Sequence, residues 1–274
     1  MTEPAVLPAS RDVPDAVLGP YLLVTFGIAW AVLGLYIFLP EPMSRLFGAI
    51  SGSHPLFVLA VWAPAIAAFA LVLWTGGAQG LRRYLSRLTL WHCPWGWALF
   101  LLLGIPFIFA LGAAVKGTLL PLALPAASPG GLLGLMAFML VLGPVEEFGW
   151  RGVMLPVLQR RMAPVWASLA VGVVWAIWHL PAFFLAGTQQ SGWSLAPFLL
   201  GTVSLSVIVT PLFNASRGSL LLAALFHYQC INPLWPDVQP YDTIFFVAAA
   251  LVIVWLNRDT MFRREGAATA VIPS

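Results

Sequence analysis

Glu146, Glu147 and Arg151 lie in the run Gly143-Pro-Val-Glu-Glu-Phe-Gly-Trp-Arg-Gly152, inside an otherwise apolar stretch. At roughly 100° per helical residue, Glu147 and Arg151 share a face, while Glu146 points about 100° away from Glu147. The spacing pairs Glu147 with Arg151 and leaves Glu146 without a local cation, a carboxylate suited to general-base work. A purely structural role, with all three residues clamping helices together, is the competing reading. His179 and His227 are the next candidates, since imidazole serves as base, acid or metal ligand. Trp175 and Phe183, one turn either side of His179, give it an aromatic wall, although such stripes are usually packing. Asn232, five residues after His227, could donate a hydrogen bond to a developing oxyanion or simply cap a helix. Cys230 lies three residues after His227, but only that histidine is at hand to generate a thiolate, so a core role is preferred. His54 and His92 read as ordinary residues near span ends. No G-x-S-x-G, S-x-x-K or H-E-x-x-H signature occurs.

The elements that must position these groups are membrane helices. Of 274 residues, 61% are hydrophobic and 8% charged, with a mean hydropathy of +0.92. Soluble domains run at about 45–50% apolar and about 25% charged, so a cytosolic enzyme is excluded. The 13 basic residues are too few for a nucleic-acid groove, and two cysteines make neither a disulfide framework nor a Cys-rich zinc site. The acidic first 17 residues do not read as a secretory signal. Spans of about 20 apolar residues are expected at 18–39, 55–75, 94–122, 131–160, 163–186, 195–214, 217–235 and 242–257. Pro55, Pro94 and the Pro129-Gly130-Gly131 run mark three of the starts. The expected fold is an all-α polytopic transmembrane helix bundle forming a single integral membrane domain over 1–274.

The arginines give an orientation. With eight spans starting in the cytoplasm, inside segments hold Arg11, Arg82, Arg83, Arg87, Arg160, Arg161, Arg217, Arg258, Arg263 and Arg264, and outside segments hold Arg45. That asymmetry obeys the positive-inside rule and places both termini in the cytoplasm. Segment 78–93 alternates Leu with Arg at helical spacing and is expected to lie in the cytoplasmic headgroup plane, with Trp91, Trp95 and Trp97 at the interface. Counted from the span ends at 1.5 Å per residue, Glu146, His179 and His227 fall about 15–24 Å from the cytoplasmic face and can meet in one cavity. Gly143 and Gly149 allow close backbone approach there. Pro144 and Pro181 free the carbonyls of Leu140 and Ile177.

Glu146-Glu147-x-x-x-Arg151, then Trp175-Ala-Ile-Trp-His179-Leu-Pro181, then Phe226-His227, resemble in order and spacing the CAAX protease and bacteriocin-processing family of intramembrane endopeptidases. The resemblance covers about 140–235, the protease-like core. Trp175 stands where the family usually has Phe, and Ile231 where it has Asn or Asp, with Asn232 one position later. The resemblance implies that Glu146 and His179 activate a water for attack on a peptide carbonyl. It assigns oxyanion stabilisation to His227, alone or with Asn232, and support of the site to Glu147, Arg151 and Trp175. A divalent metal such as zinc, if present, would take Glu146, His179 and His227; a metal-free glutamate mechanism is the other option.

The expected activity is therefore intramembrane hydrolysis of a peptide bond, with substrate entering from the cytoplasmic side of the plasma membrane. A prenylated C-terminal peptide, a bacteriocin-like leader and another membrane protein are all admissible substrates. A proton-coupled transporter and a non-proteolytic scaffold or immunity-type protein on the same fold are the alternatives. The charge-free connections around 123–130 and 187–193 count against the transporter.

Overall fold

Proline sets where several of the helices begin. A proline in the first turn has no N–H to leave unpaired and a φ already suited to the helix, and helices open at Pro40, Pro55, Pro129 and Pro164. The Ser128 and Ser219 hydroxyls cap two N-termini, accepting from the amides of Gly131 and Leu222 at 3.1 Å each. The computed structural model describes residues 12–120 and 128–274. Arg11, the last residues of the expected third span and most of the 123–130 connection lie outside them.

The described residues are helical, with no strand among them. In chain order the elements are α1 (Leu18–Phe38), α2 (Pro40–Phe47), α3 (Pro55–Ser86), α4 (Trp95–Lys116), α5 (Pro129–Gln159), α6 (Pro164–Trp178), α7 (Leu195–Ala215), α8 (Leu220–Cys230) and α9 (Asp242–Leu256). Six segments are long and apolar enough to cross a membrane: Asp15–Phe38, Pro55–Thr89, Trp95–Lys116, Pro129–Gln159, Pro164–Phe184 and Leu195–Ala215. The expected seventh and eighth spans are shorter helices of 11 and 15 residues, about 16 and 22 Å long at 1.5 Å per residue. This is a multi-pass α-helical membrane protein.

Exposed large apolar side chains such as Leu23, Trp74, Leu102, Phe107 and Leu251 cover the outside, where lipid solvates them. Inside, α3 presents buried Ala60, Ala63, Ala67 and Ala68, small residues that let α1 pack along it. The α7 helix packs along both α6 and α9.

Two expected spans are not regular helices. The proline ring excludes the carbonyl four residues back and removes an N–H. Regular α-helix accordingly stops at Leu142, a 3₁₀ turn spans Pro144–Glu146, and a π turn spans Trp150–Met154 before the helix resumes. Pro181 acts likewise: α6 ends at Trp178 and 3₁₀ geometry covers Leu180–Phe184, so His179, inside the Pro164–Phe184 span as expected, caps the regular helix. In α3, Gly77 adopts φ 62° and ψ −167°, a left-handed conformation open to glycine, and breaks the helix before residue 78.

Hydrogen bonds sort the connections into two ends. At one, Arg160 bonds Asp12 and Asp15 at 2.6 and 2.9 Å, while Asp12 also accepts from the amides of Val271 and Ile272. Gln159 and Asn214 bond each other and residue 268, and Ser219 bonds the Leu90 carbonyl. Both ends of the described chain therefore meet here. At the other end, Gly187 lies against the Ile50 carbonyl, and Asp237 receives Lys116 on its carbonyl at 2.8 Å and Trp193 on its carboxylate at 3.3 Å.

Arg87 departs from the expectation of a headgroup-facing arginine in segment 78–93. It is 2% exposed and donates to the carbonyls of Gly218, Gly152, Val271 and Arg151 at 2.9–3.3 Å. Those oxygens lie in the Trp150–Met154 π turn, between α7 and α8 and in the C-terminal segment, and the guanidinium fork reaches several at once.

Candidate active site

The Gly143–Gly152 motif runs through the centre of the bundle because its three glycines each meet another element. A Cβ on Gly143 would strike Ile231 and come within 3.0 Å of His227 Nε2. One on Gly149 would strike Tyr21 and lie 2.7 Å from the Pro64 carbonyl, and one on Gly152 would strike Tyr84. The Tyr84 hydroxyl in turn donates to the Phe148 carbonyl.

This close packing buries Glu146 (4% exposed), Glu147 (2%) and Arg151 (0%). Arg151 Nη1 meets Glu147 Oε1 at 3.0 Å, the pair expected from spacing. The same oxygen receives His227 Nδ1 at 2.8 Å, and the Arg151 guanidinium lies 4.7 Å from the Trp175 ring centroid. Among the described residues Glu147 Oε2 and Arg151 Nε and Nη2 have no hydrogen-bond partner, so Arg151 and His227 both hold Glu147 through Oε1. Glu146 is held differently, by indoles: Trp175 Nε1 donates to its Oε2 at 2.7 Å and Trp150 Nε1 to the same oxygen at 3.4 Å.

His179 is half-buried, with Nδ1 2.8 Å from the Trp175 carbonyl. A carbonyl only accepts, so Nδ1 carries the hydrogen and, in neutral imidazole, Nε2 carries the lone pair. Trp178 and Phe198 pack edge-on against the ring, at 4.8 and 5.1 Å between centroids. Phe183 reaches the histidine only through Phe198.

Asn232 stands beyond α8, which ends at Cys230 with Ile231 as its cap. Chain termination, not a widened helix, brings it to the cavity. Its Oδ1 accepts from the Leu234 amide at 3.0 Å and its Nδ2 donates to Gln229 at 3.1 Å. One amide hydrogen remains to be donated.

Glu146, Trp175, His179, His227 and Asn232 line one cavity of about 630 Å³. Cys230 also lines it. Three further residues were not singled out by sequence reasoning. Trp150 could have been, since it follows Glu146 by four residues as Arg151 follows Glu147. Asp242, 6% exposed in the cavity wall with Oδ1 unpartnered, had no local signal. Nor did Arg87, whose carbonyl partners come from distant segments.

No group of three or more His, Cys, Asp or Glu among the described residues is placed to hold a metal ion. The set a metal would take, Glu146, His179 and His227, does not form such a group, and no step below is routed through one.

A bundle of apolar helices around a buried carboxylate, two histidines and a buried ion pair defines a polytopic membrane protein with an ionisable internal site. The comparisons bear out the resemblance read from the motifs: residues 128–230 match the family model of the Rce1-like Type II CAAX prenyl endopeptidases. The chain is also similar to a CAAX prenyl protease 2 of Methanococcus maripaludis, 30% identical over 143 residues, which are 47% of this chain and 52% of that protein. The chain thus spans about half the length of this curated relative.

Proposed function

We propose that the protein is an intramembrane endopeptidase of the plasma membrane, with Glu146 as general base and Glu146 and His179 together activating water. The observation that carries this reading is the meeting of Glu146, His179 and His227 in one cavity. With Oε2 engaged by two indoles, Glu146 keeps Oε1 for a water proton. His179 Nε2 accepts the water's second hydrogen bond and fixes its lone pair toward the carbonyl carbon. The new C–O bond puts negative charge on the former carbonyl oxygen, stabilised by His227 Nε2–H when that ring is doubly protonated beside Glu147. Asn232 adds its remaining N–H. Collapse of the intermediate breaks the C–N bond, and Glu146 returns its proton to the leaving amine.

Glu147 and Arg151 position His227, and Trp175 positions Glu146. Residues 140–235 form the protease-like core, and segment 78–93, turned at Gly77, lies in the headgroup plane. The substrate is a peptide or a membrane protein. In detergent-purified protein, peptide hydrolysis is expected to disappear in Glu146→Ala and in His179→Ala; retained turnover in either contradicts the assignment.

A further inference from the structure

The cavity is asymmetric along the bundle. Gly52, Gly187, Gln189, Trp193, Asp237 and Gln239 help to form its wall, and all lie in connections remote from the two termini. No arginine lines it. Arg82, Arg83, Arg160, Arg161, Arg217, Arg258, Arg263 and Arg264 belong to the opposite end, where residues 12–15 and 268–272 are tied to Arg160, Gln159 and Asn214. The cavity end carries Arg45 and Lys116, together with Glu41 and Asp237.

Two sequence expectations therefore conflict: cytoplasmic termini and cytoplasmic entry of substrate cannot both hold, because termini and cavity lie at opposite ends. The arginine bias decides between them. Basic residues in short connections beside span ends are retained on the cytoplasmic side, and the connections here are short.

We propose that the active-site cavity opens to the extracytoplasmic side, and that the peptide it accepts is presented from that side. A polypeptide already exported, or the outward-facing segment of a membrane protein, can reach Glu146 by this route; a tail held in the cytoplasm meets the arginine end instead. Cleavage itself rests on the endopeptidase reading, whereas the side of opening does not.

Single-cysteine variants Gln189→Cys, at the cavity wall, and Ser86→Cys, at the arginine end, separate the two orientations. Both positions are exposed, and each variant also carries Cys93→Ser and Cys230→Ser. A membrane-impermeant maleimide should label Gln189→Cys in intact cells and Ser86→Cys only after permeabilisation. The reverse pattern overturns the proposal. Labelling needs no turnover, so expected labelling of the variants together with no peptide hydrolysis by the wild-type protein overturns the endopeptidase reading and leaves the orientation standing.

Discussion

The indole N–H of Trp175 lies 2.7 Å from Glu146 Oε2, so one oxygen of this buried carboxylate is fixed by a neutral donor from another helix. The indole brings no charge of its own to the carboxylate, which an arginine partner would.

Trp175→Phe keeps an aromatic ring and deletes that donor. A hydrogen bond to a charged group contributes about 1.5–3 kcal/mol, so kcat should fall about 10- to 100-fold with KM little changed. Steady-state kinetics of the purified variant checks this. A rise in KM at unchanged kcat would move Trp175 from positioning Glu146 to contacting substrate.

Arg151 is paired with Glu147 and stacked on Trp175 with no exposure. Removing one partner of a buried ion pair costs about 3–5 kcal/mol. Arg151→Met should show a loss of that order in detergent unfolding. The double variant Arg151→Met with Glu147→Gln should recover part of it, because no lone buried charge remains.

Gly143 and Gly134 lie on one span but in different surroundings. A methyl at Gly143 meets Ile231 and His227, whereas one at Gly134 meets nothing within 4 Å. Gly143→Ala should therefore lower peptide hydrolysis at least ten-fold by displacing His227, while Gly134→Ala stays near wild type. Assaying the pair side by side separates this local clash from a general effect of alanine on the span.

Arg87 joins carbonyls from residues 151, 152, 218 and 271. Arg87→Gln leaves several of these buried acceptors unpaired, at about 1–3 kcal/mol for each group. The C-terminal segment after Asn257 should detach first, seen as faster cleavage there in limited proteolysis while the bundle stays intact.

Much of this arrangement is legible in the sequence because an apolar chain makes each charge conspicuous. The Glu147–Arg151 pair follows from helical spacing alone, since a π turn beginning at Trp150 still leaves the two side chains 3.0 Å apart. Helix starts at Pro55 and Pro129 follow from proline chemistry. What spacing does not reveal is tertiary. Trp175 reads as packing until its N–H is seen on Glu146, 29 residues away. Arg87 counts as one more interfacial cation until its distant carbonyls surround it. Asn232 falls out of helical register because α8 stops at Cys230. Hydropathy places His179 within a span, as it is, but does not show that Pro181 ends the regular helix at Trp178.

Hydrolysis of a peptide by purified Glu146→Gln protein tests the central claim most directly. The substitution preserves shape and hydrogen-bonding capacity while removing the base. Turnover is predicted to fall by at least 1000-fold with the unfolding midpoint close to wild type. Wild-type turnover in a folded Glu146→Gln protein would contradict the account.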